Sequence, residues 1–146
     1  MRNYTKKDRT YPLRGLSLAD YQALAAFRLS LREFLAFSAA AARAAGLTPQ
    51  QHQALLAIKG PPAGEMLSIQ DLSAHLHIKH NTTVELLDRL EKARLVRRRR
   101  DLANRRQVKI ALTARAERLL QRLSAAHLKE LQAMRPALLT LLKQLD

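Results

Sequence analysis

Apolar residues recur along this chain at two spacings, and the switch between them outlines its parts. Tyr21, Leu24, Phe27 or Arg28, Leu31, Phe34 and Leu35 follow the three-to-four spacing of a helix face. Ser17-Leu-Ala-Asp20 has the form of a capping box that starts this helix, and Gly46 is a natural stop. The next helix opens at Thr48, with Pro49 suited to the first turn and Gln51 as capping partner. His52, Leu55 and Leu56 are expected on its inner face, and Gly60-Pro-Pro-Ala-Gly64 ends it in a loop. Met66-Leu-Ser-Ile69 reads as a minor strand. Ser68-Ile-Gln-Asp71 then opens a short helix to about Leu76. After a turn at His77-Ile78-Lys79 a further helix is expected from about His80 to Ala93, with Thr83, Leu86, Leu87 and Leu90 inward.

Beyond Leu95 the period changes. Leu95 to Arg100 is strand-like, and Val108, Ile110 and Leu112 alternate with Lys109 and Ala111, as in a half-buried strand. The polar segment Asp101 to Arg106 lies between as a turn. Thr113 is placed to cap a long helix through Leu119, Leu120, Leu123, Leu128 and Leu131, which Pro136 is expected to break or restart. The order helix, helix, hairpin makes the expected fold mainly α with a small β-hairpin wing. It is a winged helix-turn-helix over 47–113, flanked by terminal helices at 17–46 and 114–146. Those terminal helices are too apolar to stand exposed, so they are expected to be dimerisation helices of a homodimer. Residues 1–16, polar and basic with Pro12 and Gly15, read as a flexible N-terminal arm.

Charge sharpens the picture. The 146 residues carry 26 Lys and Arg against 12 Asp and Glu, a net +14. Between Arg89 and Lys109 ten basic residues face only Glu91 and Asp101, so over half of the excess sits in this stretch. A solvated face would interleave the signs, and arginine suits phosphate contact, so the expected partner is double-stranded DNA. In Lys79-His-Asn-Thr-Thr-Val-Glu85, residues Lys79, His80, Asn81, Thr82 and Glu85 can reach base edges or phosphates at the start of the reading helix. Asn81 and Thr82 read equally well as N-caps, and Thr82 with Glu85 has capping-box spacing. Arg89 and the wing residues Arg99, Arg100, Arg105 and Arg106 complete the expected contact set.

Other chemistries are disfavoured. The absence of cysteine removes disulfides and thiolate sites. The first residues show no signal peptide and no segment has the apolar length of a membrane span, so a cytoplasmic location is expected. Four glycines form no phosphate-cradling loop and no nucleophile has a triad pattern, so neither catalysis nor a cofactor is expected. His75, His77 and His80 straddle a helix–turn junction and read as surface or DNA-facing residues rather than zinc ligands. His52 reads as a core residue or as part of a ligand pocket. The alternative to a regulator is a constitutive architectural or RNA-binding basic protein with no sensory role.

The residues and their order resemble the multiple-antibiotic-resistance regulator (MarR) family. The resemblance is carried by Leu47-Thr-Pro-Gln-Gln-His-Gln-Ala-Leu-Leu56, by Ile69-Gln-Asp-Leu72 through Leu90-Glu-Lys-Ala-Arg-Leu-Val96, and by Asn104-Arg-Arg106 followed by Leu112-Thr113. It implies a homodimeric transcription factor on a short palindrome, the helix at 80–93 in the major groove and the wing at the adjacent minor groove. It further implies a repressor released by a small aromatic or phenolic ligand between the dimer helices and the winged domain, where Tyr21, Phe27, Phe34 and His52 would form the walls. The sequence departs from the family pattern in three places. Asn104 stands for the wing aspartate, leaving Arg106 to find another acceptor such as Asp101. Arg94 stands for a helix-ending glycine, and Glu85 for a basic or polar residue.

Overall fold

The computed structural model describes residues 15–143, so the arm expected at 1–16 falls almost wholly outside the described residues. The elements run α1 (Leu18–Ala44), α2 (Pro49–Lys59), α3 (Ile69–Leu76), α4 (His80–Lys92), β1 (Val96–Arg100), β2 (Val108–Leu112) and α5 (Ala114–Lys143). The fold is mainly α with a two-stranded wing, as the periodicities predict.

The first three helices start at reciprocal capping boxes. Ser17 and Asp20, Thr48 and Gln51, and Ser68 and Asp71 each exchange backbone donors for side-chain acceptors at 2.7–3.2 Å. The hydrogen bonds from Ser68 hold the Asp71 carboxyl below its usual range, with Lys109 adding to the effect. Besides α3, which ends past His77 (φ +53°) with Ile78 N–H on Ser73 O at 3.2 Å, two helices close in the same way at the other end. Leu47 N–H bonds Ala42 O at 2.9 Å past Gly46 (φ +79°), and Leu95 N–H bonds Leu90 O at 2.9 Å past Arg94 (φ +57°). The first closure has the glycine its left-handed residue favours. The second imposes that conformation on an arginine, the strain expected from its sequence.

Leu55, Leu72, Leu87, Leu90, Val96 and Ile110 form the fully buried centre of the winged domain. Ala42 of α1 and Ala116, Leu120 and Leu123 of α5 join the same cluster, so the terminal helices are rooted in the winged domain's core. Packed by α1, α3, α5 and β2, α2 buries Ala54, Ala57 and Ile58 besides His52 and Leu55. That leaves Leu56, expected inside, on the open side and 50% exposed.

β1 and β2 pair antiparallel from Val96–Leu112 to Arg100–Val108. The minor strand expected at 66–69 is a single bridge, Ser68 to Lys109, with Ile110 N–H donating to Leu67 O at 2.9 Å. Thr113 caps α5 by accepting from Ala116 N–H and donates to the Arg94 carbonyl at 2.8 Å. Pro136 neither breaks nor restarts α5, which runs through it to Lys143. Proline lacks one backbone donor, and the helical bonds on either side suffice to carry the helix past it.

Beyond this core α1 and α5 pack on each other and leave apolar side chains uncovered. Leu18, Tyr21, Leu24, Leu31 and Leu35 on α1, and Leu128, Leu131, Leu139 and Leu142 on α5, are exposed. No helix among the described residues is long and apolar enough to cross a membrane.

Candidate nucleic-acid interface

α4 is fixed by one face and open along the other. Thr83, Leu86, Leu87 and Leu90 are buried, and at about 100° per residue Asn81, Glu85, Asp88 and Lys92 lie opposite them, with Arg89 to one side. Under the helix, the Ser73 and Thr83 hydroxyls meet at 2.8 Å, with Ile69 O at 2.8 Å and Lys79 O at 3.1 Å as outer acceptors. This small polar chain pins the start of α4 to α3, and sequence periodicity placed only its Thr83 inside.

The N-terminus of α4 differs from the other four. Lys79 is its N-cap, in extended conformation, and no side chain caps the helix. The capping box expected of Thr82 and Glu85 therefore does not form, because Thr82 already lies inside the first turn. Lys79, His80, Asn81, Thr82, Glu85 and Arg89 are all exposed. The first-turn amides, with the positive end of the helix dipole, thus lie beside short polar side chains, an arrangement suited to phosphate and base edges.

The wing sorts its arginines by strand pleat. Successive side chains alternate faces, so Val96 and Arg98 share one face of β1 and Arg97 and Arg99 the other. Val96 is in the core, and Arg98 is half-buried against the flank of α4. Its guanidinium donates to Glu91 Oε2 and Asp88 Oδ1, each at 2.7 Å, with a longer contact of 3.4 Å to Val84 O. Arg99, Arg100, Arg105 and Arg106 are exposed, and none has a carboxylate within 4.0 Å among the described residues. The structure thus separates one consumed arginine, Arg98, from five exposed ones, Arg97 among them. The sequence could not separate them by residue type.

The wing turn holds itself by backbone bonds from Asp101 N–H to Gln107 O and from Gln107 N–H to Asn104 O, both at 2.9 Å. The Asp101 carboxylate accepts from Ala103 N–H at 2.9 Å, so it does not serve Arg106. Asn104 Oδ1 accepts from the Arg106 backbone N–H at 3.2 Å and so shapes the turn that presents that arginine. The guanidinium of Arg106 is left to solvent.

Of the expected ligand walls, the structure brings two into one cluster. His52 is 4% exposed and lies 4.7 Å from His127 of α5, their rings tilted by 48°, and the His127 ring meets Phe34 at 5.8 Å and Phe37 at 5.3 Å. His127 Nδ1 lies 2.6 Å from Leu123 O and must donate to it. Its Nε2, at 2.8 Å, then accepts from the Ser38 hydroxyl when the ring is neutral. Burial lowers the proton affinity of His52, and the neighbouring His127 lowers it further. Phe37, Ser38 and His127 were not anticipated, since they meet His52 only through helix packing. Tyr21 is 57% exposed and thirteen residues before Phe34, about 20 Å along α1, so one protomer does not bring it to His52. Phe27 is half-buried about two turns from Phe34.

His75 and His77 line an open cleft of about 910 Å³ beside Glu65, Asp71, Asp101 and Lys109, without His80. No group of three ligating side chains among the described residues has metal-binding geometry.

A buried three-helix core with an arginine-bearing hairpin defines a winged helix-turn-helix protein. The MarR family profile matches residues 45–107, from the end of α1 to the wing. An uncharacterized HTH-type transcriptional regulator, YsmB of Bacillus subtilis (strain 168), is 40% identical over 55 residues. That match spans 38% of this chain and 38% of the relative's length. A MarR family transcription regulator of known crystal structure is 25% identical, with a TM-score of 0.66 over 78% of this chain and 74% of its own. AbsC, a MarR family regulator from Streptomyces coelicolor, shares the fold at 20% identity, with a TM-score of 0.67 over 91% of this chain and 90% of its own. The F27L mutant of Staphylococcus aureus MepR, bound to an oligodeoxyribonucleotide, is 21% identical, with a TM-score of 0.67 over 86% and 98%. Over its winged helix-turn-helix segment the chain is similar to the MarR family of transcriptional regulators.

Proposed function

We propose that the protein is a homodimeric, sequence-specific repressor that holds a palindromic operator and leaves it when a small aromatic acid binds. The observation that carries this reading is the pairing of an uncapped, polar α4 N-terminus with four solvent-facing wing arginines that have no acidic partner. Asn81 and Thr82 would meet base edges in the major groove, Lys79, His80 and Arg89 the flanking phosphates, and Glu85 a cytosine amino group. Arg99, Arg100, Arg105 and Arg106 would lie on the backbone and in the narrow adjacent groove. The oligodeoxyribonucleotide complex of MepR, which shares the fold, supports the assignment of DNA as partner.

The uncovered leucines of α1 and α5 support the second copy. A twofold mate buries them and sets two reading helices at palindromic spacing. For the effector, the supporting feature is the aromatic and imidazole cluster of Phe34, His52 and His127, where the terminal helices meet the winged domain. A ligand releases DNA only if it binds the wrong spacing of the reading helices more tightly.

The test is recovery of genomic fragments on the purified protein at physiological salt. The expected result is a small set of fragments sharing an inverted repeat, each bound by one dimer. Equal retention of all duplexes, or preferential retention of RNA, would replace this reading with that of an architectural or RNA-binding protein.

A further inference from the structure

We propose that Arg98 is not a DNA ligand but the positioning residue that locks the wing to the reading helix, so that both meet DNA as one rigid unit. The inference rests on the DNA-binding reading above and adds a role for the one wing arginine that faces inward.

Asp88 and Glu91 stand three residues apart on α4, on neighbouring turns of the same flank. Asp88 lies on the outward side with Asn81 and Glu85, and Glu91 at the edge of that side. The fork of Arg98 spans the two carboxylates at 2.7 Å each, one through each terminal nitrogen. A planar guanidinium held at both ends fixes distance and orientation, which a single ammonium does not. With 25% of its side chain exposed, Arg98 is shielded more than either acid, so the clamp sits between helix and strand rather than on open surface.

Charge points the same way. Two carboxylates around one guanidinium leave the group net negative, which phosphates would avoid. The same trio keeps those carboxylates from acting unpaired beside the DNA-facing side of α4. The wing has little else to steady it. β1 and β2 form a sheet of two strands, extended only by the bridge at Ser68. Beyond Val96 and Ile110 the hairpin offers no buried side chain to the core. The Arg98 clamp lies opposite Ile110 at the middle of the ladder, where that burial ends, with Arg99, Arg100, Arg105 and Arg106 further out.

The experiment compares wild type with Arg98→Met and with Asp88→Asn/Glu91→Gln, each removing the clamp from one side. Arg98→Lys is the conservative variant. Amide hydrogen exchange of β2 is measured on the free protein. Affinity is measured across salt for the best recovered fragment and for a random duplex of equal length. Both clamp variants should speed β2 exchange while thermal melting confirms a folded core. Both should lower the preference for the selected fragment by about tenfold, as loss of one well-placed base contact does, with the salt slope unchanged. Arg98→Lys should fall between, and combining the variants should add nothing further. Unchanged exchange or an unchanged preference in Arg98→Met would overturn the proposal. So would a slope flattened by about two per dimer with equal loss on both duplexes, since Arg98 would then be a phosphate contact. Faster exchange in a protein whose wild type binds no duplex would instead defeat the DNA-binding reading, because the clamp itself would be present.

Discussion

Removing Arg105 and Arg106 from the wing turn has a magnitude that follows from the structure. Four wing arginines per protomer, Arg99, Arg100, Arg105 and Arg106, are exposed and free of carboxylate partners, whereas Arg98 is consumed by Asp88 and Glu91. A dimer that places all of them on phosphate makes about eight contacts, for a log-affinity against log-salt slope of about −7. Arg105→Ala/Arg106→Ala deletes about half of these and should flatten the slope by about 3.6. Between 50 and 200 mM salt the wild type should therefore lose about 150-fold more affinity than the variant. Fluorescence anisotropy of a labelled duplex, titrated at stepped salt, reads this directly. Neither side chain is buried or bonded to the core, so the melting temperature should stay within a degree or two of wild type. A variant with the wild-type slope would refute the reasoning, because the wing would then not touch DNA.

Leu87→Ala, on the fully buried face of α4, should cost about 2–5 kcal/mol in urea unfolding, and a loss below about 1 kcal/mol would mean the site collapses freely. Arg94→Gly should raise stability by up to about 1 kcal/mol by relieving the left-handed arginine at φ +57°, and a lower urea midpoint would show that the Arg94 side chain contributes something else. The lowered proton affinity of His52 means that the unfolded chain binds this proton more readily than the native one. Stability should therefore fall as pH drops below about 6.5, and His52→Gln should lessen that fall; identical pH profiles of the urea midpoint would exclude the effect. Salicylate should weaken operator binding of the wild type, and His52→Ala should blunt that response more than it harms DNA binding without ligand. Equal responses would remove His52 from the effector site.

Much of the fold was written in local pattern. Capping boxes at Ser17, Thr48 and Ser68 bond within four residues, so their spacing alone predicts three helix starts. The alternation of Val108, Ile110 and Leu112 places β2 correctly, because a pleat has a period of two wherever one face is buried. Leu56 departs from expectation because α2 is packed on several sides, and a single-face pattern cannot say which strip a crowded helix leaves open. Pro136 departs because a missing donor is a cost that the bonds on either side can absorb, and residue type alone does not reveal that balance.

The candidate interface divides along the same line. Composition and charge order by themselves determined a basic hairpin beside a polar helix start, hence the expectation of a polyanionic partner. Only the tertiary structure decided which members of Arg97-Arg98-Arg99-Arg100 remain available. Four identical side chains carry identical propensities, and what separates them is the face of the strand and the carboxylates of α4 seven and ten residues away. Likewise His52 and His127 meet although they stand 75 positions apart, because α5 packs over α2. Short-range bonds and periodic burial are legible one residue at a time. Partnerships made by packing distant segments exist only once the chain has folded.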